Sequence, residues 1–318
     1  MKAYNYLLKL CREAFSLMKK GCRLRRLTKR NSHSALQDAI ALAKALATRK
    51  GFGMGGIGRT SWITSLALAL ALPGLTGCAT GERRTVLWQN TPIIALYNGN
   101  YDAIMTVGEA KKHGDFGIGA FDRLDGEMLA LDGVVYQVTS DGKVHRPPDE
   151  AGLCFTAVTR FTPEHESEIP RGTVFTNLAQ LIDPKLPTVN AFYAMRVKGL
   201  FSAMMTRAVP GQKKPYAPLC EVVKTQPKFH FENVAGTMVG FRGPPYIGTL
   251  NAPGYHFHFL TADQMGGGHV LSFTVDHAVL EWTRIDRTEV GYPTDATFNA
   301  SDLKKINNCS GAEGPSAE

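Results

Sequence analysis

Two histidines sit two residues apart inside an aromatic run, Gly254-Tyr255-His256-Phe257-His258-Phe259-Leu260. On a β-strand, residues i and i+2 face the same side. His256 and His258 then share one face, and Tyr255, Phe257 and Phe259 cover the other, as a buried strand requires. The polar segment 261–268 ends in Gly266-Gly267-Gly268, which supplies the backbone freedom of a hairpin. His269-Val270-Leu271-Ser272-Phe273 reads as the return strand, and pairing back brings His269 beside the first two imidazoles. Three imidazoles at one point suit zinc, with open positions left for a substrate. A bare His-x-His is more often incidental to a strand. The third histidine behind a glycine turn is what favours a metal site.

Upstream, short apolar stretches between residues 115 and 144 are broken by Asp125-Gly126, Asp132-Gly133 and Asp141-Gly142. Each Asp-Gly is a hairpin signal, so the region reads as an antiparallel meander. Glu127 opens a strand directly after the first of these turns. A lone Glu there is ordinarily a solvated carboxylate. Thr106 is a helix N-cap with Glu109 as its capping-box partner, and the helix ends near His113-Gly114.

Residues 154–161 alternate like a half-buried strand, 164–166 read as a polar loop, and 174–182 as a short helix stopped by Asp183-Pro184. Residues 189–201 are strand-like, with Tyr193, Met195 and Val197 opposite the basic positions 196 and 198. Arg207 follows in Met204-Met205-Thr206-Arg207. Its planar fork suits a substrate carboxylate, although a surface ion pair is as good a reading of the spacing. Residues 224–233 read as a polar link. Gly236, Gly240 and Gly243 indicate bulges or close backbone approach. Residues 276–285 continue as strand, and the tail from Tyr292 is polar.

The chain has 36 Lys and Arg against 28 Asp and Glu, a net charge of +8. Residues 1–77 hold 14 of the basic and 2 of the acidic residues, leaving 22 and 26 for the rest, a net of −4. The basicity is N-terminal, so nothing marks the body as a nucleic-acid binder. The run from Trp62 to Leu72 is too short to span a bilayer but fits the core of a signal peptide. Leu75-Thr76-Gly77-Cys78 follows and resembles a bacterial lipobox, which implies cleavage before Cys78, lipidation of its thiol and attachment to a membrane of the cell envelope. Met54 is a better start for such a signal than Met1, and residues 1–53 then read as an upstream extension. Without a signal, the protein would be cytoplasmic. The six cysteines, at 11, 22, 78, 154, 220 and 309, form no Cys-x-x-Cys pair. In an exported protein two of Cys154, Cys220 and Cys309 could pair, but the spacing does not choose among them.

Five segments taken together resemble the α-acetolactate decarboxylase family: His113-Gly-Asp-Phe-Gly-Ile-Gly119, Phe121-Asp-Arg-Leu-Asp-Gly-Glu127, Leu131-Asp-Gly-Val-Val-Tyr-Gln137, Gly254-Tyr-His-Phe-His-Phe259 and Gly267-Gly-His-Val-Leu271. The resemblance runs from about residue 87 to the C-terminus. It implies one zinc held by His256, His258 and His269, a catalytic Glu127, a catalytic Arg207, and a second acid from the tail, for which Glu313 is the best match. Ala120 departs from the pattern, where Thr is expected. The implied reaction is decarboxylation of (S)-2-acetolactate to (R)-acetoin and carbon dioxide, a step toward 2,3-butanediol. No organic cofactor is needed, and no strand-Gly-x-Gly-x-x-Gly-helix unit or P-loop occurs. Two rival readings are a zinc-binding lipoprotein that only captures a ligand, and a metal-dependent decarboxylase or isomerase of another hydroxy-keto acid.

The expected architecture is α+β and predominantly β, with two mixed-sheet subdomains and the metal near their junction. The expected layout is an extension and signal over 1–77, a tether over 78–84, and one domain over 85–318 with subdomains of about 85–190 and 191–318. A homodimer is consistent with this layout.

Overall fold

The computed structural model describes residues 84–304. Cys78, Cys309, Glu313 and the apolar run 62–72 lie outside the described residues.

Strands dominate, arranged in two sheets. The first sheet contains β1 (Val86–Gln89), β2 (Met105–Thr106), β3 (Phe116–Phe121), β4 (Glu127–Leu131), β5 (Val134–Val138), β6 (Val144–His145), β7 (Gly152–Thr159) and β13 (Arg287–Val290). Its order is β13-β1-β7-β3-β4-β5-β6, with β2 also on β7. The β1–β13 pair is parallel and the other pairs are antiparallel, so this sheet is mixed. The second sheet contains β8 (His165–Ile169), β9 (Phe192–Arg207), β10 (Lys228–Gly243), β11 (Gly254–Thr261) and β12 (Gly267–Ile285) in the order β11-β10-β9-β12-β8. Here β11 also pairs with β12, closing four strands on themselves. This sheet is antiparallel throughout, not mixed as expected. Two strands cross between chain halves: β8 lies in the second sheet and β13 in the first.

The meander forms as its turn residues require. Asp132 and Gly133 have φ of 51° and 81°, the two positive values of a type I′ turn, and they join β4 to β5. Thr106 caps α2 (Val107–His113) in a full capping box with Glu109. The other α-helices among the described residues are short: α1 (Ile93–Tyr97), α3 (Leu178–Ile182), α4 (Leu219–Val222) and α5 (Ala296–Ala300).

Two expectations fail in the same direction. Residues 165–169 form β8 where a loop was expected; it is an edge strand with mostly exposed polar side chains, so it lacks the alternation that marks a half-buried strand. Residues 228–233 are the start of β10 where a link was expected, because Phe229 and Phe231 pack on Gly142 and Gly266 of neighbouring hairpins.

One core lies between the sheets, with Phe116, Ile118 and Phe155 from the first meeting Ala194, Val239, Phe241 and Leu260 from the second. A second core, with Tyr193, Met195, Val197, Phe257 and Phe259, covers the far face of the second sheet under α3. A third lies between the first sheet and α2. Residues 255, 257 and 259 face the second core and Leu260 faces the first, so His256 and His258 point toward the first sheet.

Candidate active site

His258 of β11 stands opposite His269 of β12 in the ladder, and His256 is one strand-repeat away. Close chain approach lets the three meet. A Cβ at Gly240 would collide with the His256 carbonyl oxygen of the adjacent strand. At Gly268 φ is +123°, and a Cβ would strike the Arg207 carbonyl. These are positions for glycine. One ring nitrogen from each of the three histidines falls within 4.8 Å of the others, and all three residues are buried.

Arg207 reaches the same place through a bulge. On β9, Phe201 and Met204 are three apart, yet both pack in the second core. The registers with β10 and β12 both skip Ser202. The irregularity reverses the alternation, so Arg207 projects to the face opposite Met204, toward the histidines. Without it, Arg207 would share the face of Phe201.

Glu127 comes from the first sheet, at the start of β4. It is 7% exposed, so it is a buried carboxylate and not a solvated one. Its Oε2 lies 3.4 Å from His258 Nε2, and its Oε1 lies 3.7 Å from Arg207 Nη1. The next residue, Met128, offers its carbonyl to His258 Nδ1 at 2.7 Å. A carbonyl only accepts, so Nδ1 carries the proton and donates. The Nε2 lone pair therefore faces the Glu127 carboxyl group. Two acceptors that close call for a proton or a cation between them.

Electrostatics favours neutral imidazoles. Burial first, then the Arg207 charge, lowers His256 to about 3. Burial, then His256, lowers His258 well below its ordinary value, and Arg207 adds to this against the opposing Met128 hydrogen bond. Neutral imidazole is the form that ligates a metal. The donor set therefore fits a metal ion: three buried ring nitrogens, one with its tautomer fixed by a backbone carbonyl, and an adjacent carboxylate.

The pocket around this group is mostly apolar. Its lining includes Ile93 and Leu96 of α1, Leu124, Phe155, Val209 and Leu219, with Gly119, Ala120, Glu127, Arg207 and the three histidines. Ala120 pairs with Glu127 across β3–β4, so a methyl stands where a Thr hydroxyl was expected. The structure thus brings together His256, His258, His269, Glu127 and Arg207. The apolar wall was not foreseen, since Ile93–Tyr97 reads only as a short apolar run. Cys154 and Cys220 are free thiols.

The fold and pocket define a class: a β-rich enzyme with a small pocket built around a candidate metal centre. The family model described as alpha-acetolactate decarboxylase matches residues 87–305. The alpha-acetolactate decarboxylase of Methanosarcina mazei is 43% identical over 220 residues, covering 69% of this chain and 76% of that protein. That of Methylococcus capsulatus is 40% identical over 225 residues, covering 71% and 86%. The crystal structure of the Bacillus subtilis strain 168 enzyme superposes with a TM-score of 0.70 at 35% identity, covering 72% of this chain and 99% of that one. The chain belongs to the α-acetolactate decarboxylase family, and its reaction is that of a carboxy-lyase acting on acetolactate.

Proposed function

We propose that this enzyme is zinc-dependent and converts (S)-2-acetolactate to (R)-acetoin and carbon dioxide within acetoin and 2,3-butanediol metabolism. The observation that carries the proposal is the meeting of three buried histidines with Glu127 and Arg207 in one pocket. His256, His258 and His269 would hold one zinc per chain near the junction of the sheets. When bound, zinc supplies Lewis acidity toward the hydroxyl and ketone oxygens of the substrate.

Arg207 orients the carboxylate that leaves. As its C–C bond breaks, the electron pair moves through the adjacent carbon onto the former ketone oxygen, giving an enediolate. Glu127, held against the same pocket, delivers a proton to the carbon that lost carbon dioxide. Delivery from one side sets the configuration. Leu124, Phe155, Val209 and Leu219 exclude water and accommodate the two methyl groups. Glu313, from the tail, is a second proton donor in this reading.

Chiral chromatography of the product from (S)-2-acetolactate tests the stereochemistry. (R)-Acetoin is expected, and racemic acetoin contradicts one-sided delivery by Glu127.

The N-terminal sequence supports a further part of the proposal: export, cleavage before Cys78 and anchoring to an envelope membrane through that cysteine, with 78–84 as a tether and 85–318 as one domain. Mass spectrometry of the mature N-terminus tests this. An intact chain from Met1 or Met54 recovered from cytosol contradicts it. A homodimer is the proposed assembly.

A further inference from the structure

Arg207 is held by a residue outside the family motifs described above. Gln226 Oε1 accepts a hydrogen bond from Arg207 Nη1 at 2.8 Å. We propose that Gln226 is a positioning residue that sets the guanidinium for the departing carboxylate without reducing its charge. The inference rests on the reading of Arg207 as the carboxylate anchor.

Three features of the chain place Gln226 there. Lys228 is the ladder partner of Arg207 across β9–β10, so Gln226, two residues earlier, lies on the diagonal within reach of a long side chain. Pro227 follows, and a residue before proline is driven to extended backbone; Gln226 has φ −66° and ψ 138°. Third, the connection 208–227 is tied down on the first sheet's side. Gly126 N donates to Val209 O, Gln212 N to Arg123 O, and Tyr101 Oη to Ala217 O. The same connection brings Val209 and Leu219 to the pocket wall. Its far end therefore arrives at a fixed place.

The residue type matters because of charge. Glu127 already faces the guanidinium at 3.7 Å. A second carboxylate at 226 would take up the positive charge that the substrate anion needs. An apolar residue would remove one of the hydrogen bonds that set the guanidinium plane, and Arg recognises carboxylate through that plane. A neutral amide with a carbonyl acceptor meets both demands.

The test uses zinc-loaded enzyme, full chain, with metal content measured for each variant. Gln226→Glu keeps the shape and the acceptor but adds charge. Gln226→Met keeps the length and removes the acceptor. Inhibition is read with two probes: 2-hydroxy-2-methylpropanoate, which carries a carboxylate beside a tertiary hydroxyl, and acetoin, which carries no carboxylate. Gln226→Glu should weaken inhibition by the acid about tenfold, the scale of one charge-assisted hydrogen bond, while acetoin inhibition stays within about twofold. Gln226→Met should lower kcat/KM for 2-acetolactate about tenfold at unchanged zinc content. Equal shifts for the two probes, no shift for either, or a Gln226→Met enzyme within about twofold of wild type on kcat/KM overturns the inference. A zinc-loaded wild type that releases no carbon dioxide overturns the underlying reading instead, and the inference falls with it.

Discussion

His258 Nδ1 donates to the carbonyl oxygen of Met128 at 2.7 Å, and this bond joins the two sheets at the site. Met128 follows Glu127 on β4, so one strand both orients a candidate metal ligand and presents the acid beside it. The bond points His258 Nε2 at the shared focus of the three imidazoles. Each ligand should therefore be needed. His256→Ala, His258→Ala and His269→Ala are each expected to lose bound zinc and activity together, read by elemental analysis and acetoin release. An active, metal-free variant would remove the metal from the account.

Arg207→Lys preserves charge but loses the two-pronged geometry. The expected outcome is a fall in kcat/KM of about ten- to a hundredfold, the scale of a hydrogen bond to a charged group, with zinc content unchanged. Near-normal turnover by the Lys enzyme would show that Arg207 does not clamp the carboxylate.

Glu127→Gln is nearly isosteric and cannot supply the same proton. Turnover should fall by about two to four powers of ten, the usual range for a general acid. Zinc should stay bound, since the histidines hold it. A metal-loaded Glu127→Gln enzyme with normal rate would move the proton transfer elsewhere.

How much of this was legible beforehand varies by residue. The three-histidine hairpin could be read because strand alternation separates histidines from aromatics without ambiguity, and the glycine turn fixes the return. The capping box and the Asp-Gly turns are local codes of the same kind. The direction of Arg207 could not be read, because the bulge at Ser202 reverses the alternation and leaves no mark in composition. β13 carries no local signal, because Arg287–Val290 is a four-residue edge strand whose parallel pairing with β1 spans some two hundred residues. Gln226 is invisible in sequence because its role depends on where β9 and β10 come into register.

The two described free cysteines should differ sharply in reactivity. Cys154 is buried and its thiol approaches the carbonyl of Phe121. Burial raises it from an ordinary value near 9 to about 12. In the folded protein at pH 9, iodoacetamide should label Cys220, which is partly exposed, and spare Cys154, as read by peptide mapping. The same shift makes a stability claim with a definite sign. Below pH 9 the thiol is protonated in both states. Between about 9 and 12 the unfolded chain ionises first, so this group's contribution to stability is lost as pH rises through that window. Rapid labelling of Cys154 under native conditions would contradict the packing described.

Gly240 tests the backbone approach that assembles the site. A methyl there would meet the His256 carbonyl, which belongs to the neighbouring strand and cannot swing aside. Gly240→Ala should destabilise the fold by about 1–3 kcal/mol, the range for overpacking a filled site, and weaken zinc binding in parallel. Unchanged denaturation and zinc affinity would mean that β10 and β11 are less tightly apposed.

The most direct test of the central claim is a single assay of carbon dioxide and acetoin release from 2-acetolactate. The purified enzyme is measured as zinc-loaded protein, after chelation, and after zinc is restored. Equimolar products from the loaded enzyme, loss of both on chelation, and recovery of both on adding zinc back are expected. Undiminished release from the chelated, metal-free protein would contradict the claim.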